Sequence, residues 1–146
     1  MNAPIATPAV LEADDRTAAG NANSSVTMPP SATIPWLRTE ALAIGLLATL
    51  AFAWTGTSWW LFAALILVPD AFMVGYLANP RIGAAIYNVG HGYALPAVFA
   101  VMGSVVGSSL LLAIAAIWIA HIGFDRALGY GLKHPMGFKH THLGCL

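Results

Sequence analysis

Four long runs of apolar residues follow one another from about Trp36 to Ala127, separated by short polar connections. Some 20 helical residues, at about 1.5 Å each, cross the roughly 30 Å of hydrocarbon in a bilayer. The pattern predicts transmembrane helices over residues 36–55, 59–77, 82–102 and 109–127. The fourth is the clearest, because Leu110–Ala120 is uninterrupted and apolar, whereas Arg38 and Glu40 sit in the first turn of the first. Short turns make successive spans neighbours. The expected fold class is therefore all-α: a polytopic membrane protein with four transmembrane helices in an antiparallel bundle.

The flanks read differently. Residues 1–35 are rich in Ala, Thr, Ser, Asn and Pro, with too little apolar surface to offset chain entropy, and are expected to form a disordered polar tail. No basic region followed by an apolar core marks them as a secretory signal. Residues 129–146 form a C-terminal segment containing Gly, His and Lys, suited to covering one mouth of the bundle. Across all 146 residues, 58% are apolar and 8% charged, against about 25% charged in soluble domains. Cys145 is the only cysteine, which excludes an internal disulfide.

Charge fixes an orientation. The connections at Thr55–Ser58 and Gly103–Ser108 carry no charge. All six Lys and Arg lie in the tail, the first turn of the first span, the turn at Asn79-Pro80-Arg81, and the end of the fourth span with the segment after it, on one side of the bundle. The positive-inside rule makes that side cytoplasmic, with both termini there and the protein in a bacterial inner membrane. Trp59 and Trp60 then fall at the outer interface and Trp36 at the inner one. Scattered basic residues and a neutral net charge argue against nucleic acid as a partner. The lipid bilayer is the expected partner.

Against this apolar background a few polar residues stand out, all in the half of the bundle nearest the charged side. Ionisable groups in hydrocarbon are costly and point to function. Pro69-Asp70 should bend the second span, because proline lacks a donor and clashes with the carbonyl of Leu65; Asp70 falls about 10 Å from the inner end at α-helical rise. Tyr87, Asn88 and His91 share one face of the third span, and Pro96 adds a bend beyond them. His121 and Asp125, four apart, share a face of the fourth. Asp70, His91, His121 and Asp125 are thus candidate metal ligands, with Tyr87 and Asn88 in support. Simpler roles remain open: Asp70 capping carbonyls freed by Pro69, Asn88 and His91 bonding between helices, Asp125 holding the His121 ring. Arg126 and Lys133 suit contact with an anionic lipid headgroup or phosphate. His142 is a further, weaker ligand candidate in the C-terminal segment.

The run from His121 to Lys133 (His-Ile-Gly-Phe-Asp-Arg-Ala-Leu-Gly-Tyr-Gly-Leu-Lys), a following Gly-Phe, and Thr141-His142-Leu143-Gly144 resemble a bacterial family, the domain-of-unknown-function 4260 family. Pro69-Asp70, Gly75-Tyr76 and Tyr87-Asn88 with His91 also resemble its pattern, from about Leu37 to Gly144. The resemblance implies a small integral membrane protein without an assigned activity. His134 and His140 fall outside that pattern.

Three functions remain open on these residues. A divalent metal, Zn²⁺, Fe²⁺ or Mn²⁺, held by mixed imidazole and carboxylate ligands would activate water for hydrolysis of a lipid or lipid-linked substrate. His91 and His121 would alternatively be axial haem ligands, or the pocket a quinone site. A non-enzymatic assembly, lipid-binding or transport subunit would use the same residues to fix helix packing, with transport requiring a homo-oligomer.

Overall fold

The computed structural model describes residues 33–134, 137–141 and 144–145, with side chains as far as Lys133. The polar tail expected over residues 1–35 lies almost wholly outside the described residues, and so does His142. Helix α1 covers Ile34–Trp54. The second span starts as α2, Trp59–Leu65, and continues as a 3₁₀ helix over Val68–Leu77. The third is split into α3, Pro80–Gly90, and α4, Ala94–Val106. Helix α5 runs over Ser109–Leu128. Four stretches, Ile34–Trp54, Trp59–Leu77, Pro80–Val106 and Ser109–Leu128, are long and apolar enough to cross a membrane. The chain is a multi-pass, all-α membrane protein, as the hydropathy pattern requires. Its outward surface is apolar, with Leu47, Val74, Val101 and Val105 each more than half exposed, which suits contact with lipid rather than water. A small antiparallel ribbon is added after α5: β1, Lys133–His134; β2, Gly137–Thr141; β3, Gly144–Cys145, in the order β1-β2-β3.

Local chemistry sets the element ends. The Ser58 hydroxyl accepts from Trp60 N–H, the Asn79 carbonyl oxygen from Ile82 N–H, and the Ser108 hydroxyl from Leu111 N–H, each satisfying an orphan donor of the first turn. Pro80 occupies the first turn of α3, where its missing donor costs nothing. Helix α5 ends at Gly129 in the left-handed conformation (φ +102°), with Tyr130 N–H returning to the Asp125 carbonyl at 2.8 Å.

Pro69 does more than bend its helix. Helix α2 stops at Leu65, the residue whose carbonyl the proline ring would strike, and ten residues then follow 3₁₀ geometry. Runs beyond three or four residues in this form are uncommon and mark strained or functional segments. At about 2.0 Å per residue, Asp70 lies roughly 14 Å from Leu77 along the axis, deeper than the α-helical rise implies.

Helix α5 is the centre of the bundle. One side packs on α1, where the backbones approach so closely that a Cβ on Gly123 would stand 2.6 Å from the Gly45 nitrogen and 2.8 Å from the Ala41 oxygen. Small residues permit such contacts in membranes, where packing replaces the hydrophobic drive. Because the obstacle is backbone, Gly123→Ala is expected to cost about 1–3 kcal/mol, read as a lower thermal midpoint in detergent. An unchanged midpoint would mean that the two helices do not meet so closely. At one end Phe52, Ala113, Ala116 and Ile117 form a buried cluster, with Phe52 edge-on to Trp59 and Phe62 at 5.0 and 5.1 Å. The other end, on the far side of α5 from α1, holds the polar residues.

Candidate metal centre

The break in the third span is what presents His91. The α3 helix ends at Gly90, and His91 caps it with φ −105° and ψ 14°, outside the helical region. Pro96 has no N–H for the Gly92 carbonyl, so regular helix resumes only at Ala94; the bend lies before the proline rather than at it. Carbonyls at the break are met by side chains of α5. Trp118 Nε1 donates to the Gly90 carbonyl at 2.7 Å, and Arg126 Nη2 to the His91 carbonyl at 3.4 Å. A polar break deep in a span is thus supplied with donors from the neighbouring helix.

Four side chains from three spans meet beside this break: Asp70 from the 3₁₀ helix, His91 from the end of α3, and His121 and Asp125 from α5. The Nε2 atoms of His91 and His121 are 3.2 Å apart. His91 Nε2 lies 3.5 Å from Asp70 Oδ1 and 3.5 Å from Asp125 Oδ2. His121 Nε2 lies 3.6 Å from each of the same two oxygens. All four atoms fall within 4.8 Å of one another. Direct imidazolium–carboxylate bonds would be about 2.7–2.9 Å, so these tips surround a point more than they bond to each other. Five of the six edges of this tetrahedron are 3.2–3.6 Å and the carboxylate–carboxylate edge is no more than 4.8 Å, which puts its centre roughly 2.1–2.4 Å from each corner, near the length of Zn–N and Zn–O bonds.

The surroundings fix the orientation of His91. His91 Nδ1 is 3.1 Å from the Tyr87 carbonyl, which makes Nδ1 the donor and leaves the Nε2 lone pair facing the cluster. At 3.2 Å, His121 Nε2 either donates to that lone pair or faces it with one of its own, in which case a cation between them is required. Tyr87 stacks on the His91 ring (3.7 Å between centroids, 11° between planes). Both imidazoles are almost fully buried, while the side chains of Asp70 and Asp125 are 41% and 21% exposed. The carboxylates face a cavity of about 370 Å³ lined by Asp70, Met73, Tyr87, Asp125, Tyr130 and Lys133. A second, larger groove of about 550 Å³ between α1, α4 and α5 is apolar and remote from these groups.

The remaining candidates are distributed around the cluster. Asn88 meets the C-terminal segment: its Nδ2 donates to the Lys133 carbonyl at 2.9 Å and its Oδ1 accepts from Lys133 N–H at 2.7 Å. Lys133 is 3% exposed, its ammonium 5.4 Å from the Tyr87 ring and 5.7 Å from the Tyr130 ring. Burial pushes this amine below the usual lysine range, and the Asp125 charge partly restores it. Arg126 turns inward, its guanidinium 4.4 Å above the Tyr93 ring. Asn88→Leu is expected to release the Lys133 backbone and speed modification of Lys133 by a water-soluble amine reagent about tenfold, the factor matching roughly 1.4 kcal/mol of lost hydrogen bonding. Mass spectrometry of the labelled peptide checks this; unchanged labelling would mean that Asn88 does not hold the segment.

Sequence reasoning missed Trp118, Met73, Tyr93 and Tyr130. Trp118 was within reach, being three residues before His121 and so on the same helical face. Met73 joins Asp70 because residues three apart eclipse in a 3₁₀ helix, and nothing in the hydropathy announces that geometry.

The model of the family described as Domain of unknown function (DUF4260) matches residues 35–146. No curated protein and no solved structure matches the chain.

Proposed function

Because the chain belongs to the domain-of-unknown-function 4260 family, a membership that assigns no reaction, we propose a function from its own residues: a metal-dependent hydrolase acting on a lipid or lipid-linked substrate. The observation that carries this reading is the set of five tip distances, 3.2–3.6 Å, around one centre. Two imidazoles and two carboxylates suit Zn²⁺, Fe²⁺ or Mn²⁺. Such an ion, when bound, lowers the pKa of a water ligand toward 7 and polarises the scissile group. His91 and His121 are the fixed ligands, because both are buried. Asp70 is the most exposed of the four and lines the cavity, so it would be the group placed to accept a proton from a water there. Asp125 shares the cavity wall with Tyr87. Lys133 holds the anionic part of the substrate, and Arg126, engaged at Tyr93 and the His91 carbonyl, steadies the broken span.

The protein is taken to lie in a bacterial inner membrane with its termini and this site on the cytoplasmic side, on the strength of the charge asymmetry. A bis-histidine haem is less well supported, since carboxylate oxygens stand within 3.6 Å of both nitrogens, where the macrocycle would pass. A purely packing role accounts for the His91–His121 contact of 3.2 Å but less well for the four imidazole–carboxylate contacts of 3.5–3.6 Å. The experiment is elemental analysis of protein purified without a His-tag, beside an Asp70→Ala/His121→Ala variant, followed by a lipid-hydrolysis screen. About one zinc, iron or manganese per chain, lost in the variant, is expected. A folded wild-type protein that holds no metal even after metal is added back would end the hydrolase reading.

A further inference from the structure

The cavity next to the cluster has an asymmetry of charge that identifies what it receives. Its wall contains the two carboxylates, one ammonium (Lys133), and the uncharged Met73, Tyr87 and Tyr130. With a divalent cation in the cluster the two carboxylates are neutralised, the imidazoles are neutral, and Lys133 remains as a net positive charge. Without the cation the same wall is net negative. We infer that the cavity is a metal-dependent site for a phosphate group, bridged between the metal and the Lys133 ammonium; the inference rests on the metal reading above and deepens it to a substrate class.

Three observations support it. Lys133 is held in place rather than trailing into solvent: its backbone is bonded in both directions to Asn88, and its side chain is buried against two tyrosine rings. A compact ammonium fixed in this way is a phosphate-binding device. The wall also spans two levels, since Asp70, Met73, Tyr87 and Asp125 belong to membrane-crossing segments while Tyr130 and Lys133 follow the last of them. That is the level at which a lipid phosphate meets its hydrocarbon chains. Finally, as a matter of chemistry, a tetrahedral anion, whose oxygens diverge in three dimensions, reaches a metal and an ammonium together more readily than a planar carboxylate does. Arg126 takes no part, because its guanidinium is committed to Tyr93 and the His91 carbonyl.

The test uses the full chain in non-ionic detergent, loaded with Mn²⁺, with inorganic phosphate as the probe and its ³¹P relaxation as the readout. Saturable relaxation enhancement is expected with the loaded protein and none with metal-free protein. Lys133→Met should weaken phosphate binding about 10- to 100-fold at unchanged Mn²⁺ stoichiometry, while Lys133→Arg retains most of it. Acetate should compete at least about tenfold less well than phosphate. Phosphatidate added to the micelles separates the sources: displacement of phosphate by the lipid at lower concentration assigns the site to a headgroup, and failure to displace it assigns the site to free phosphate. Stoichiometric Mn²⁺ without saturable phosphate binding, or a Lys133→Met variant that binds as wild type, overturns this inference and leaves the metal centre standing. Absence of bound Mn²⁺, Zn²⁺ and Fe²⁺ alike overturns both.

Discussion

Protein stripped by a chelator is expected to unfold well before protein saturated with its preferred divalent ion, with a difference of about 4 kcal/mol when the free ion is at 1,000 times its dissociation constant. The size follows from linkage: an ion bound by the folded bundle and not by the unfolded chain adds its full binding free energy to stability. The site is suited to this effect because its candidate ligands come from the second, third and fourth spans, so a bound ion would tie three helices at one point. In its absence two carboxylates share a small space with two imidazoles. His91→Ala should abolish the metal-dependent part of stability, since it removes a buried ligand together with the ring on which Tyr87 stacks. Thermal melting in detergent, with chelator, zinc, manganese or iron, measures the difference directly. A wild-type midpoint indifferent to all of these would contradict the metal centre.

The legible part of this molecule was the part governed by hydrophobicity and helical period. Four apolar runs gave four spans, and i, i+4 spacing gave the shared face of His121 and Asp125. Asp70 and His91 were legible as expensive groups in hydrocarbon. That their tips converge with those on α5 was not legible, because it depends on two departures from α-helical geometry. The 3₁₀ stretch lengthens and rotates the path from Pro69 to Leu77, which sets the depth of Asp70 and aligns it with Met73. The break at 91–93 turns His91 out of the helix, and it exists because Trp118 and Arg126 meet the carbonyls it exposes. Both are tertiary effects: the prolines forbid regular helix, but the neighbouring helix decides which irregular form is adopted. Lys133 and Arg126 show the same limit. Read alone, each is a cation beside a membrane and belongs with headgroups; in the fold, one is buried against tyrosines and the other folds back over Tyr93.

Tyr87→Phe should weaken metal binding about 10- to 100-fold while leaving the bundle folded, the loss usual for an outer-shell partner of a metal ligand. Tyr87 shares the cavity wall with Asp125, and its backbone carbonyl accepts from His91 Nδ1. Removing the phenolic oxygen alters only the first of these relations. The aromatic ring still stacks on His91, the backbone carbonyl still fixes the His91 tautomer, and no ligand is lost. What changes is the freedom of Asp125, whose carboxylate can then rotate away from the centre toward the cavity. Competition of the purified variant against a calibrated zinc chelator would give the affinity, and its helical circular dichroism would report the fold. Tyr87→Ala supplies the contrast: it removes the stacking as well and should be worse than Tyr87→Phe in both readouts. If Tyr87→Phe binds metal as tightly as wild type, Asp125 is not a ligand oriented by Tyr87, and the centre would reduce to Asp70, His91 and His121 with a position open to water.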